Sequence, residues 1–292
     1  MYELIKATGN SYYIESPAKI GLIDSGDGMA YLIDSGSDKS AGKKAKQVIE
    51  GLGLTLGAIY NTHSHADHIG GNKFLKDWSG CNIYTSGIEV AYTRHTVLEP
   101  ALLYGGNPIG ELRHKFLIAE PSEALPLTDA VLPYDVEAID LGGHTPDMVG
   151  FKTADEVIYL ADCLSAKETL DKYGIGYIYD VGAYLDTLER VKTLEAKLFV
   201  PSHAEAVENI TPLADYNIQR VKQTADLIVD ICKEPRSFDT ILKMLFDKGG
   251  LTMTAQQYAL VGSTLRSYIT YLKELGIMSF EINDNTMLWR SL

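Results

Sequence analysis

The chain has only three cysteines, Cys81, Cys163 and Cys232, and they lie far apart. That number and spacing argue against a disulfide framework or a cysteine-built zinc module. The same usage predicts a reduced, cytoplasmic setting. No apolar run approaches the roughly 18 residues needed to cross a bilayer, so no membrane segment is expected. Met1-Tyr2-Glu3-Leu4 lacks a basic stretch followed by an apolar one, which argues against a secretory leader. Positive charge is scarce: 26 Lys and Arg stand against 39 Asp and Glu, for a formal net charge of -13. Nucleic acid is therefore a disfavoured partner, because phosphate backbones are held by Lys and Arg. A Gly-x-Ser-x-Gly elbow is missing, which weakens a serine-hydrolase reading. Low-complexity segments and short-period repeats are also absent.

What the chain does have is concentrated at residues 63–68, His63-Ser64-His65-Ala66-Asp67-His68, followed by Ile69-Gly70-Gly71. Imidazole nitrogens and a carboxylate are the donors that suit Zn²⁺ and some iron or manganese sites. In an extended segment His63, His65 and Asp67 would share one face, and a tight turn would return His68 to the same pocket. Two His on one helix face would need i,i+4 spacing, so the hexapeptide reads as a loop wrapped around a metal.

At 292 residues the chain has room for one large or two ordinary domains. Short alternating runs predict strands at Tyr2–Ala7, Ser11–Glu15, Ile20–Asp24 and Met29–Ile33. An amphipathic helix follows over 39–52, and Ala58-Ile59-Tyr60 is a strand that delivers the hexapeptide at its end. Helices are expected at Ile69–Trp78 and Ile88–Thr96, around a strand at Asn82–Thr85. Residues 98–128 read as an irregular, functional loop. Strands at Val136–Leu141, Val149–Thr153, Val157–Ala161 and Leu198–Val200, with a helix at Tyr184–Leu194, complete two sheets faced by helices. From residue 209 the pattern turns helical (211–233, 237–247, 254–275) and ends in a hairpin, a winged-helix-like order. The expected organisation is a catalytic domain over 1–208 and a smaller winged-helix-like domain over 209–292. Apolar faces on the later helices must pack on one another, on the first domain or on a second copy in a homodimer.

Three further ligand candidates stand just past predicted strands: His144, Asp162 and His203. With the hexapeptide they make a set of seven that uses five of the chain's seven histidines. The set resembles the metallo-β-lactamase superfamily of hydrolases. The resemblance rests on Thr62 to Gly71, Gly143-His144-Thr145, Ala161-Asp162, Pro201-Ser202-His203, and the early Asp34 in Leu32-Ile33-Asp34-Ser35-Gly36. It covers residues 1 to about 208 and implies an αββα sandwich with a dinuclear site at one edge. It also implies that His63, His65 and His144 bind one ion, that Asp67, His68 and His203 bind the other, and that Asp162 bridges. Asp34 would orient the metal loop from behind. Two divalent ions are implied, zinc first and iron or manganese as alternatives.

Departures from relatives narrow the expectation. His65 stands where flavodiiron oxygen reductases carry Glu, which argues against an oxygen-reducing site. The Gly-Cys-Gly-Arg segment of hydroxyacylglutathione hydrolases is replaced by Cys163-Leu164-Ser165-Ala166-Lys167, so glutathione thioesters are not implied. The last motif reads Ser202-His203-Ala204-Glu205 in place of Gly-His-Gly. Cys163 reads as a packed thiol. The layout is also similar to a mitochondrial metallo-β-lactamase-like endoribonuclease and its bacterial relatives. The leading expectation is metal-dependent hydrolysis of a small ester, thioester or lactone, with Asp67 and Asp162 as catalytic carboxylates. Phosphodiester cleavage of RNA and a metal-bound regulator are the alternatives. Tyr104, Arg113, His114, Lys167, Tyr173, Tyr177, Tyr179 and Tyr184 are the candidates to line a substrate pocket.

Overall fold

The computed structural model describes residues 2–133 and 135–292; Met1 and Tyr134 lie outside the described residues. The chain opens with an antiparallel meander of β1 (Glu3–Thr8), β2 (Ser11–Glu15), β3 (Ile20–Asp24) and β4 (Met29–Ile33). Three strands then add in parallel, β5 (Thr55–Tyr60), β6 (Asn82–Thr85) and β7 (Ala124–Pro126), to give a sheet in simple sequence order. Parallel pairing demands crossovers. The first is α1 (Lys39–Gly51), whose N-terminus is capped by Asp38 accepting from the Ser40 and Ala41 amides. Such a cap is worth about 1 kcal/mol.

Strand alternation divides the core. Ile20, Leu22, Ala30, Leu32 and Ile59 turn outward onto Ala45 and Ile49 of α1 and onto Leu75 of α3 (Asn72–Ser79). Tyr13, Ile23, Ile33 and Tyr60 turn inward onto Phe151, Val157, Tyr159 and Val200 of a second sheet. That sheet has the order β11-β10-β9-β8, where β8 is Glu137–Asp140, β9 Val149–Lys152, β10 Val157–Ala161 and β11 Leu198–Pro201. Ile158 and Leu160, on its outer face, pack with α7 (Val181–Val191) and α8 (Thr211–Ile231). Helix, sheet, sheet, helix is the αββα sandwich the sequence predicts.

The C-terminal region extends that last layer. α9 (Phe238–Gly249) and α10 (Ala255–Glu274) are followed by a hairpin, β13 (Met278–Asn283) and β14 (Thr286–Ser291), which pairs with the short β12 (Arg236–Ser237). Leu242, Leu245, Phe246, Leu265, Ile269 and Leu272 join the same hydrophobic core as Ile158, Leu160 and Leu188. These apolar residues of α9 and α10 pack on one another and on the sandwich, while Phe280, Ile282 and Met287 of the hairpin remain exposed.

Two expectations need correction. Residues 98–128 are not irregular throughout: they hold α5 (Leu98–Tyr104), a 3₁₀ turn at Gly110–Leu112 and β7. Leu98, Leu102 and Tyr104 are exposed, so α5 buries too narrow a face to show a clear period. The expected helix over 69–78 is broken into α2 (Ala66–Ile69) and α3, with Gly70 and Gly71 between them. A Cβ on Gly70 would come within 2.3 Å of the Ser37 backbone, and one on Gly71 within 2.3 Å of the Ser35 carbonyl. That close approach seats the metal loop against the end of β4. A further helix, α6 (Lys167–Tyr173), was not expected.

Candidate metal centre

β5 ends at Tyr60, and the chain then runs through Asn61 to His65 as a loop before α2 carries Asp67 and His68. His144 follows β8, Asp162 follows β10 and His203 follows β11, so all three arrive at the same edge of the sandwich. The backbone is strained at two of the approaches. Asp34 and Ala161 take left-handed conformations with φ of 64° and 51°. Each costs about 1–3 kcal/mol, a cost that persists where surrounding structure fixes a functional residue. Before His144, Gly143 (φ 124°) lies so close to α7 that a Cβ would stand 2.4 Å from the Tyr184 nitrogen.

All seven predicted residues meet. Their ligand atoms form two groups, His63, His65, His144 and Asp162 in one, and Asp67, His68 and His203 in the other, each within 4.8 Å. Asp162 joins them: its carboxylate lies 3.2 Å from His68 Nε2, 3.6 Å from His144 Nε2 and 3.3 Å from His203 Nε2. His65 Nδ1 is 3.1 Å from His144 Nε2, and Asp67 Oδ2 is 3.1 Å from His203 Nε2.

A second ring of contacts fixes each imidazole. His68 Nδ1–H donates to Asp34 Oδ2 at 2.8 Å, and His144 Nδ1–H donates to the Tyr177 carbonyl at 3.1 Å. His203 Nδ1–H donates to the Pro17 carbonyl at 2.7 Å. Thr62 donates its amide and hydroxyl to Asp34, both at 2.8 Å, which leaves its oxygen to accept from His63 Nδ1–H at 3.0 Å. With Nδ1 engaged in these four rings, each turns its Nε2 toward the centre, the atom that would ligate an ion. Asp34 occupies the orienting position that the resemblance implies.

The chemistry of the donor set fits metal ions. His63 Nε2 is buried with no hydrogen-bond partner, and the buried His68 Nε2 and Asp162 Oδ1 have only each other, at 3.2 Å, a costly arrangement for a site meant to stay empty. Burial, with His68 beside it, holds His63 well below the usual imidazole range, and burial holds His65 down to about 3. Burial lowers His144 as well. These three are neutral, as ligands must be. Burial pushes Asp67 and Asp162 up, yet neighbouring His68 and His203 prevail and hold both carboxyls ionised. Burial would lower His68 too, but Asp162, Asp67 and Asp34 raise it; Asp162 pushes His203 up to about 10. Without a cation these two imidazoles take the proton that a metal would displace.

Sequence reasoning missed Glu89, on α4 (Glu89–Arg94). Its carboxylate accepts from the Ser64 amide at 3.0 Å, from the Ser64 hydroxyl, and from the Thr145 hydroxyl at 2.6 Å. It ties the metal loop to the His144 loop and is 1% exposed. A lone Glu at the start of an amphipathic helix carries no signal of such a role. Beside the ligands lies a cleft of about 220 Å³ lined by Glu99, Leu103, Phe116, Leu117, Tyr177 and Leu260. Of the eight pocket candidates only Tyr177 reaches it. Arg113 folds back on Asn107 and Pro108, His114 meets Gln256, and Tyr184 is buried on Asn217. Tyr104, Lys167, Tyr173 and Tyr179 also lie outside the lining. Cys163 is a fully buried free thiol in the core, and burial raises it.

Comparison with known proteins agrees with this geometry. The family model of the metallo-beta-lactamase superfamily matches residues 8–203. The chain is 28% identical over 160 residues to a hydroxyacylglutathione hydrolase of Haemophilus ducreyi, covering 54% of this chain and 55% of that protein. It therefore spans about half the length of that relative. It is 28% identical over 193 residues to a probable metallo-hydrolase, YqgX, of Bacillus subtilis, covering 65% of this chain and 83% of that one. Among solved structures, a beta-lactamase domain protein of Burkholderia ambifaria superposes with a TM-score of 0.72 at 17% identity, over 99% of this chain and 94% of that one. A metallo-beta-lactamase family protein of Thermus thermophilus gives a TM-score of 0.71 at 17% identity, over 97% and 99%. Both shared folds run through the C-terminal helices. Among the described residues no helix is long and apolar enough to cross a membrane. The chain belongs to the metallo-β-lactamase superfamily and brings together two His and Asp clusters that could each hold a metal ion.

Proposed function

We propose that the protein hydrolyses a small ester, thioester or lactone, with His63, His65 and His144 holding one ion, Asp67, His68 and His203 the other, and Asp162 bridging. The observation that carries this reading is the meeting of seven donors around one centre, with the buried His63 Nε2 left without any other partner. When bound, two divalent cations would supply Lewis acidity and a hydroxide near neutral pH. The chain's own groups do the rest. Asp67, partly exposed to the cleft, orients the attacking water through the carboxylate that also meets His203. Asp162 keeps the two halves of the centre in register. The carbonyl of Tyr177 and the carboxylate of Asp34 hold the ligand rings in place, so little reorganisation is required during the reaction. Thioesters lead among the acyl substrates because hydroxyacylglutathione hydrolases are among the relatives.

Cleavage of nucleic acid draws less support. In a winged-helix reader one helix must lie free to enter a groove. Here α10 lies against α5 and the 3₁₀ turn at 110–112, and Leu260 faces the cleft. The net charge of -13 adds to the difficulty.

The test is a panel of acyl thioesters, esters, lactones, phosphodiesters and short RNA, with metal content measured on the same sample. Turnover of acyl substrates at two ions per chain is expected. Asp162→Ala should lose at least about a thousandfold in kcat/KM and release one ion, with unchanged circular dichroism, because the bridge serves both ions. Turnover confined to RNA, or full activity in Asp162→Ala with two ions bound, would overturn the reading.

A further inference from the structure

We infer that α10 of the C-terminal region makes the cleft selective for an uncharged, apolar acyl group. The inference rests on the acyl-hydrolase reading above and adds the part of the substrate that selects it. Among the lining residues outside the metal cluster, Leu103, Phe116, Leu117, Tyr177 and Leu260 are apolar or aromatic, and Glu99 carries the one carboxyl. Among the described residues no Lys or Arg lines the cleft. Lys115, next to Phe116 in sequence, has its ammonium 3.4 Å from Asp38 and over the Phe116 ring. An anionic tail entering this space would find no Lys or Arg among the lining residues to pair with, and would be desolvated without compensation.

The walls come from three separate stretches of chain. Leu103, Leu112 and Leu117 from residues 98–118 pack with Ala259 from α10, and Tyr177 and Leu260 lie against that cluster. α10 is pinned in place: Thr264 Oγ1 accepts from the Ile178 amide at 3.2 Å, and Ser267 Oγ donates to the Tyr179 carbonyl at 2.6 Å. These bonds grip the same loop whose Tyr177 carbonyl orients His144. The wall is therefore registered against the metal ligands. A volume of about 220 Å³ leaves room for a short to medium acyl chain.

Acyl hydroxamic acids are suitable probes, since they chelate metal ions and project the acyl chain without needing to be hydrolysed. The full-length protein loaded with two zinc ions would be titrated with acetohydroxamic, pentanohydroxamic and hexanohydroxamic acids and with succinic monohydroxamic acid. Hexanohydroxamate should bind about tenfold or more tighter than acetohydroxamate as methylenes are buried. Succinic monohydroxamate should bind at least about tenfold weaker than pentanohydroxamate, for lack of a cation to meet its carboxylate. Leu260→Lys should narrow or reverse that last gap, its stem lying along the apolar wall with the ammonium at the rim. Phe116→Arg, at a side chain 69% exposed, repeats the test without touching the core. Affinities independent of chain length, or a preference for the succinic probe in the unmodified protein, would overturn the inference. Thioester turnover on the same samples keeps the two ideas apart. The expected affinities without turnover would support the selective cleft and refute acyl hydrolysis.

Discussion

Asp34 and Thr264 each govern a histidine of the metal centre, from opposite ends of the chain and by different means. Asp34 acts directly, as a buried carboxylate 2.8 Å from His68 Nδ1 that also gathers the Thr62 amide and hydroxyl. Thr264 acts at one remove: its Oγ1 accepts from the Ile178 amide, and the neighbouring Tyr177 carbonyl accepts a hydrogen bond from His144 Nδ1–H. The floor of the site is thus built from charge and short hydrogen bonds within the sandwich. Its roof is built from apolar contacts that cross from α10 to residues 98–118. Charge fixes where ions sit, while packing fixes what may approach them.

The most severe way to break this comparison is to remove the roof. A chain ending at residue 208 keeps all seven proposed ligands. It loses α8, α9 and α10, which share one core with Ile158, Leu160, Val181 and Leu188. A large apolar face would be left in water. The truncated chain should be recovered as aggregate, or as a soluble form that binds a hydrophobic dye and unfolds without a cooperative transition. A monomeric, cooperatively melting product with two ions bound would show that floor and roof are energetically separate.

The floor was legible in the sequence and the roof was not, for a physical reason. Ligand donors are few residue types, and local geometry forces them into short spacings such as His63 to His68. Strand-end positions of His144, Asp162 and His203 follow from apolar runs that stop at Gly142, Ala161 and Pro201. Asp34 was legible only through the family, because an Asp-Ser-Gly turn reads equally well as a loop. Glu89 and Leu260 gave no sign at all. A carboxylate that braces two loops and a leucine on a cleft look in sequence like any other Glu and Leu on a helix. Their roles arise from contacts 56 residues apart for Glu89 and Thr145, and farther still for Leu260.

A smaller perturbation sharpens the claim about the floor. Asp34→Asn keeps the acceptor for the Thr62 amide and suits the left-handed backbone, since Asn tolerates φ near 64°. It removes the charge that draws the His68 proton to Nδ1. Affinity at the Asp67, His68 and His203 site should fall about 10–100-fold, with the other site less affected. Chelator competition, followed by metal analysis, separates the two. Equal weakening of both ions would mean that Asp34 acts on the loop as a whole through Thr62.

The least of the expected effects concerns Glu99, where floor and roof meet. Burial, then the charges of Asp67 and Glu89, hold its carboxyl well above the usual range. An unfolded Glu titrates near 4.3. Between that value and the raised native one, the folded protein keeps a proton that the unfolded chain has released. Stability from this group is therefore full below about pH 4.3 and is lost as pH rises through the native value. Glu99→Gln keeps the shape and has no proton to lose, so it removes that decline. In chelator-treated protein the variant should melt close to the parent at pH 5 and above it at pH 8. A gap of about 2–4 °C is what about 1 kcal/mol is worth in a chain of this size. Loading both ions should shrink the gap, because nearby positive charge favours the carboxylate. A difference that stays constant from pH 5 to pH 8 would mean that Glu99 is ionised throughout. The cleft would then carry a full negative charge at the junction of metal floor and apolar roof.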